Sequence, residues 1–174
     1  GVMTRRSTGF IFFMTVLLAA GMLPLFAGGA AETSKPVKIG MYADLSAGTA
    51  QWGTDAEKGA RLKIKEANAA GGVLGRKIEL IVYDIKQSPT EAVRAYTRLA
   101  TEDKVCVVGG SLQSNTALAV SPVAEKTRVP VVSRALDERA TTPKFDPLNP
   151  DKKIDPNPCF FLTQPSAFQQ AAVI

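Results

Sequence analysis

Short apolar runs alternate with amphipathic stretches along most of this chain. The apolar runs have the length and β-branched content of buried strands. Predicted strands cover residues 37–43, 77–84, 105–109, 129–133 and 159–162. Between them, apolar residues recur every three or four positions, which predicts α-helices. Strict alternation with short connections predicts an α/β fold built on a doubly wound parallel sheet.

The first two predicted helices begin with capping signals. Residues 54–57 and 88–91 both place a hydroxyl residue three positions before a glutamate, which is the capping-box pattern. The second box also has Pro89 at the first helical position, where its missing N–H costs nothing. A loop over 44–53 precedes the first helix. The glycine-rich segment 71–75 follows a helix rather than a strand, so it is a helix cap and turn, not a dinucleotide-binding loop.

The N-terminal 31 residues have the organisation of a signal peptide. A basic segment at 3–6 precedes an apolar run over 10–26, and small residues follow it. This pattern predicts cleavage after Ala30 or Ala31 and export to the periplasm, with no stable membrane insertion afterwards. The apolar run is close to spanning length, so an uncleaved anchor is the alternative. The small residues that follow the apolar run favour cleavage over an uncleaved anchor.

Composition excludes several classes of function. The chain has no histidine, so a His-dependent catalytic triad or metal site within it is excluded. The formal charge is +5, and removing residues 1–31 lowers Lys+Arg from 21 to 19 against 16 acids, which leaves +3. These charges are interleaved with acids, which is typical of a solvated surface rather than a nucleic-acid interface. Without a phosphate loop, a nucleophile elbow or a paired carboxylate, we expect no enzyme activity, cofactor or metal.

Two cysteines lie in predicted strands. Cys106 is in the third strand and Cys159 in the fifth. If one strand separates them, they are about 10 Å apart, too far for a disulfide. We therefore expect two buried free thiols.

The C-terminal part of the chain departs from regular alternation. Residues 143–158 contain five prolines, which predicts a surface insertion with little regular structure. A last helix begins near residue 166 and the chain stops at Ile174, as expected for a truncated domain. Because ligands of doubly wound sheets bind beyond the carboxyl ends of the strands, the loops after the first, third and fourth strands are the candidate site.

Several segments resemble the type I periplasmic binding proteins, in particular the leucine/isoleucine/valine group. The most specific is Asn-x-x-Gly-Gly-x-x-Gly-x-x-Ile over 68–78. The resemblance covers 36–142 and resumes near Phe160. It implies a two-lobed receptor that closes on a solute without chemistry and delivers it to the permease subunits of an ABC importer. Residues 32–174 correspond to the N-terminal lobe, and the second lobe is missing from this chain.

The resemblance also implies which residues bind the ligand. The implied set is Trp52, Gln113, Ser114, Ala135, Leu136 and Asp137. Trp52 packs against the ligand side chain, or alternatively against the core. Gln113 is in register with a family serine that holds the ligand carboxylate at a helix N-terminus, and Ser114 follows it; either donates, or Ser114 is a plain N-cap. Ala135 offers its carbonyl, and Asp137 replaces a family threonine.

Two departures from the family pattern bear on the ligand. Asp137 brings a charge that favours an ammonium and opposes a carboxylate, while Arg134 either pairs with it or meets an anionic ligand. Leu112 stands where some relatives have a cysteine. The expected solute is therefore a branched-chain amino acid or a related small amino-acid-like or amide compound.

Two other functions are weighed against solute capture. A sensory receptor domain of the same fold is the first. An exported flavodoxin-like, nucleotide-binding enzyme is the second, and it requires a phosphate loop after the first strand. Only residues 46–49 are a candidate for that loop.

Overall fold

Five parallel strands form a single sheet in a computed structural model that describes residues 35–110, 112–142, 148, 156–165 and 167–171. The strands are β1 (Val37–Ala43), β2 (Ile78–Asp84), β3 (Val107–Gly110), β4 (Val131–Ser133) and β5 (Phe160–Leu162). Their order is β2-β1-β3-β4-β5, and every pair is parallel. The predicted doubly wound α/β sheet is confirmed, although the last three strands are shorter at their amino ends than predicted.

Helices connect successive strands. They are α1 (Ala50–Ala69), α2 (Pro89–Thr101), α3 (Ser114–Thr127), a 3-10 helix (Glu138–Ala140) and α4 (Ala167–Ala171). The chain crosses the sheet in one direction from β1 to β2 and in the other from β2 to β3 and β4. Right-handed crossovers therefore place α1 on one face of the sheet and α2 and α3 on the other.

The two faces of the sheet are covered unequally. On the face of α2 and α3, a row of residues in register across four strands is buried throughout: Gly40, Val108, Val131 and Phe160. On the opposite face α1 packs against β1 and β2. On that face, the residues in register one position further along the strands become more exposed across the sheet: Met41 is 8% exposed, Val132 40% and Phe161 50%. The core therefore lies on the α2–α3 side.

A buried polar cluster around Asn157 joins the two ends of the segment between the 3-10 helix and β5. The Asn157 side chain donates to the carbonyl of Ser121 at 2.8 Å and to its hydroxyl at 2.9 Å, and it accepts from the Cys159 N–H. The Asn157 N–H donates to the carbonyl of Thr141 at 2.6 Å. The predicted insertion at 143–158 lies largely outside the described residues, but the chain on either side of it is held to α3.

The start of α1 corrects the first capping-box prediction. The helix begins at Ala50, and the N-cap is Thr49, so residues 54–57 lie inside the helix. The Thr49 hydroxyl does not cap the helix because it is hydrogen-bonded to a carboxylate in the preceding loop. The N-cap of the second box is confirmed, since the Ser88 hydroxyl accepts from the Glu91 N–H at 3.3 Å. The reciprocal bond of a capping box is not formed, because the Ser88 N–H donates to the Ile85 carbonyl at 2.8 Å.

The cysteines are both free, as predicted, but only one is buried. Cys159 is 7% exposed. The prediction that Cys106 is buried is wrong: the residue is exposed and lies just before β3, which begins at Val107. The Cys106 thiol donates to the carbonyl of Lys38 at 3.2 Å.

The predicted signal peptide at 1–31 lies outside the described residues, and a compact unit begins at Lys35. Among the described helices, none combines the length and the apolar character that a membrane crossing requires.

Candidate functional site

The loops that follow β1, β3 and β4 lie at the same edge of the sheet because the strands are parallel. Trp52 and Gln113 are brought close together there. The Trp52 N–H donates to the Thr49 carbonyl at 3.0 Å, and the Gln113 side-chain nitrogen donates to the Thr49 hydroxyl at 3.2 Å. Both residues therefore contact the same threonine, Trp52 through its backbone and Gln113 through its side chain.

The Thr49 hydroxyl is the centre of a hydrogen-bond network that joins three loops. It donates to the Asp44 carboxylate at 2.7 Å and accepts from the Gln87 side-chain nitrogen at 2.9 Å, in addition to Gln113. Asp44 is only 3% exposed and its other oxygen accepts from the Gln87 N–H at 2.6 Å. The loops after β1, β2 and β3 are thus fixed relative to one another.

Asp84, at the end of β2, holds the β1 loop from the other side. Its carboxylate accepts from the Leu45 N–H at 2.9 Å, from the Lys86 N–H at 3.0 Å and from the Ser46 hydroxyl. Burial raises the pKa of Asp84, but these three hydrogen bonds and the Lys86 charge outweigh it. The net pKa of Asp84 lies below its ordinary value, so the site holds this carboxylate ionised.

The β4 loop carries the other predicted residues. Ala135 is fully buried, its N–H donates to the Ser133 hydroxyl at 3.0 Å, and Leu136 is 42% exposed. Asp137 caps the 3-10 helix and forms a bidentate salt bridge with Arg139, at 2.7 and 3.0 Å. Among the described residues, no hydrogen bond or ion pair joins Ala135, Leu136 or Asp137 to Trp52 or to the Thr49 network.

The Asp137 charge is matched by a cation of its own loop. The Arg139 side-chain hydrogen bond lowers the pKa of Asp137, burial opposes it, and the net pKa lies below the ordinary value. The ion pair involves Arg139 and not Arg134, which was the pairing weighed from the sequence. Asp137 therefore has its charge neutralised within the loop before any ligand arrives.

Trp52 and Ser114 lie at helix N-termini rather than in loops. Trp52 is in the first turn of α1 and is 61% exposed, so its ring does not pack into the core. Ser114 is the first residue of α3, whose N-cap is Gln113, and the Gln113 side chain does not cap that helix. The Thr116 N–H donates to the Asn115 side chain at 2.8 Å, so among the described residues the N–H groups of Ser114 and Asn115 are left for an anionic ligand group.

A cavity of about 270 Å³ lies next to this edge. It runs along the sheet face between α1 and the strands, where Ala56, Gly109 and Val132 line it, and it reaches the edge at Leu112 and Arg134. None of the six predicted ligand-binding residues lines it. The cavity is the uncovered part of the α1 face, so it does not define the candidate site.

The network residues Asp44, Thr49, Asp84 and Gln87 were not among the predicted site residues. A signal for two of them was present, because Asp44 and Asp84 each follow an apolar strand directly. Parallel pairing then puts the two carboxylates at the ends of neighbouring strands. Their partners in the loops are not predictable from spacing.

The network also bears on the phosphate-loop alternative. The hydroxyls of Ser46 and Thr49, in the segment weighed for that role, are hydrogen-bonded to Asp84 and Asp44. Two carboxylates at the end of the strand oppose a bound phosphate. Among the described residues, no group of three His, Cys, Asp or Glu side chains is placed to hold a metal ion.

A parallel, doubly wound sheet with polar loops at its carboxyl edge defines an α/β ligand-binding domain. The particular family follows from comparison with known proteins. The chain belongs to the periplasmic binding protein family, which matches residues 36–174.

Named relatives agree with this family. A Leu/Ile/Val-binding protein homolog 7 of Brucella abortus (strain 2308) is 34% identical over 114 residues, which are 66% of this chain and 28% of the relative. The leucine-specific-binding protein of Salmonella typhimurium (strain LT2) is 32% identical over 80 residues, 46% of this chain and 22% of the relative. The chain thus spans less than a third of the length of these curated relatives.

Solved structures show the same architecture. The branched-chain amino acid transporter substrate-binding protein LivJ of Streptococcus pneumoniae, in complex with isoleucine, superposes with a TM-score of 0.63 at 32% identity, covering 75% of this chain and 34% of that one. An ABC-transporter solute-binding protein of Rhodopseudomonas palustris BisB5, in complex with 3,4-dihydroxybenzoic acid, gives 0.61 at 26% identity, covering 76% and 32%. The α/β fold and the family are therefore established.

Proposed function

We propose that this chain is part of the extracytoplasmic substrate-binding component of an ABC importer and supplies one lobe of its solute site. The solute is a branched-chain amino acid or a related small amino-acid-like or amide compound. Residues 1–31 act as a cleaved signal peptide that directs the protein to the periplasm, and residues 32–174 form the N-terminal lobe. Capture proceeds by closure of a second lobe over the site, and the permease subunits receive the solute.

The observation that carries this proposal is the organisation of the carboxyl edge. An exposed Trp52, the Gln113 amide and the first residues of α3 lie next to a hydrogen-bonded network that joins three loops. A flat aromatic surface beside polar groups suits a small solute with an apolar body and polar ends.

A thermal-shift panel on the mature, full-length protein tests this proposal. The panel holds aliphatic amino acids, short amides, urea and small aromatic acids; the last are included because a structural neighbour was solved with 3,4-dihydroxybenzoic acid. A solute at about 100 times its dissociation constant adds about 2.7 kcal/mol of stability. We expect a clear rise in melting temperature with leucine, isoleucine or valine or with an amide analogue.

The outcomes separate the parts of the proposal. A rise confined to aromatic acids contradicts the amino-acid-like solute class while retaining solute capture. No rise with any member of the panel contradicts capture of this class of solute. Salt-matched sodium chloride is the control for non-specific stabilisation by ions.

A further inference from the structure

Thr49 uses the full hydrogen-bonding capacity of its hydroxyl. A hydroxyl has one donor and two acceptor positions. At Thr49 these are occupied by Asp44 at 2.7 Å, Gln87 at 2.9 Å and Gln113 at 3.2 Å. Each partner comes from the end of a different strand, so one side chain coordinates the loops after β1, β2 and β3.

The chemistry of the partners dictates the direction of each hydrogen bond. An ionised carboxylate only accepts, so the Thr49 proton is directed to Asp44. The hydroxyl oxygen is then left as an acceptor, and both glutamine side chains must approach it with their NH₂ groups. Gln113 is therefore oriented with its nitrogen toward Thr49 and its carbonyl oxygen away from it. That carbonyl oxygen has no hydrogen-bond donor among the described residues.

The loop after β2 holds this arrangement in place. Lys86 and Gln87 both adopt left-handed backbone, with φ of 51° and 58°, which is costly for residues other than glycine. The two carboxylates offset the cost, because Asp84 accepts from the Lys86 N–H at 3.0 Å and Asp44 from the Gln87 N–H at 2.6 Å. Since Asp44 is bound on both oxygens and only 3% exposed, it has little freedom to release Thr49.

We infer that Thr49 is a positioning residue, which acts through Gln113 and presents the carbonyl oxygen of that amide to an N–H group of the solute. This inference rests on the proposed function, because Gln113 is a specificity residue only if the edge is a solute site. The side-chain amide of Gln113 is uncharged, so its recognition of an N–H group is neutral. A neutral acceptor suits an amide or an amino group.

Side-chain amide NMR tests the positioning role without any ligand. Thr49→Val removes the hydroxyl and keeps the shape, whereas Thr49→Ser keeps the hydroxyl. The Gln113 NH₂ signals are identified by their loss in Gln113→Leu. We expect Thr49→Val to shift the Gln113 and Gln87 amide pairs and to speed their exchange with water, and Thr49→Ser to leave them near their wild-type positions. Unchanged Gln113 signals in Thr49→Val overturn the positioning role.

Titration with matched probes tests the solute chemistry in the full-length protein. The probes are leucine and 4-methylpentanoate, which is leucine without its amino group. We expect the wild-type preference for leucine to fall about threefold to tenfold in Gln113→Leu and in Thr49→Val, the range for one lost hydrogen bond. Thr49→Ser and the exposed Thr90→Val on α2 are expected to retain it.

The results distinguish this inference from the proposed function. An unchanged preference in Gln113→Leu overturns the recognition of N–H at this position even though solute capture stands. If the wild-type protein binds neither these probes nor any member of the thermal-shift panel, the proposed function fails together with the solute chemistry assigned to Gln113. The amide signals still decide in that case whether Thr49 positions Gln113.

Discussion

Asp84 anchors the β1 loop from the neighbouring strand, through the N–H groups of Leu45 and Lys86 and the hydroxyl of Ser46. An asparagine at this position loses the negative charge that these donors favour. We predict that Asp84→Asn lowers the free energy of unfolding at pH 7 by about 1 kcal/mol, a figure that allows for solvent screening at this partly exposed site. Denaturant unfolding measures the difference.

The pH dependence of that difference identifies its cause. The folded-state pKa of Asp84 lies below the ordinary value, so the ionised carboxylate stabilises the folded state above the unfolded-state pKa of about 3.9. The stabilisation is lost as the pH falls through the folded-state pKa. The gap between wild type and Asp84→Asn should therefore narrow as the pH falls below about 4. A gap as large at pH 2.5 as at pH 7 contradicts the ionic explanation, and the exposed Asp55→Asn on α1 is the control.

Among the elements, α1 makes its closest approach to the site at Gly53. This helix residue is buried, and a Cβ atom added to it meets the backbone oxygen of Asp44 at 1.9 Å. Because a backbone atom held by the loop network cannot move aside, we predict that Gly53→Ala destabilises the protein by about 3 kcal/mol. Gly59→Ala in the same helix is the matched control, since a Cβ there meets nothing within 4 Å.

We expect the control substitution Gly59→Ala to stabilise the protein rather than destabilise it. Alanine at an open helix position is more favourable than glycine by about 0.5–1 kcal/mol. Thermal unfolding of Gly53→Ala and Gly59→Ala at one pH measures the change in stability that each substitution causes. Equal effects of the two substitutions contradict a specific contact between α1 and the β1 loop.

The elements were more predictable from the sequence than the site. Apolar runs identified all five strands because buried parallel strands are apolar on both faces, and Ser88 with Glu91 marked α2 correctly. The start of α1 was wrong because the Thr49 hydroxyl bonds Asp44 instead of capping the helix. A capping pattern read from neighbouring residues does not show that a side chain has another hydrogen-bond partner, here Asp44.

At the scale of the molecule, the arrangement of strands explains why the site lies where it does. Parallel pairing collects the loop ends of β1, β2 and β3 at one edge, and the Thr49 network joins them. The same topology covers one sheet face with α2 and α3 and leaves Val132 and Phe161 half-exposed on the other. Residues from distant parts of the chain thus form the edge. The charge of Asp137, for example, could be interpreted only once its partner Arg139 was known.

Trp52 provides the test of the edge as a whole, because it is the only tryptophan in the chain. It is 61% exposed in the first turn of α1, so removing its ring should cost the fold less than about 0.5 kcal/mol. If the ring packs on the solute, Trp52→Ala weakens binding by about 2 kcal/mol, roughly thirtyfold. Calorimetric titration with the solute that stabilises the wild-type protein most measures the loss.

Leu62 is the matched control for that substitution. It is a second exposed apolar side chain of α1, 58% exposed, and it lies ten positions further along the helix, about 15 Å from Trp52. We expect Leu62→Ala to leave the affinity unchanged. Quenching or a shift of the Trp52 fluorescence on solute addition supports the same placement without any substitution. Equal affinity in wild type and Trp52→Ala, with silent fluorescence, places the solute away from α1 and contradicts the edge as its binding site.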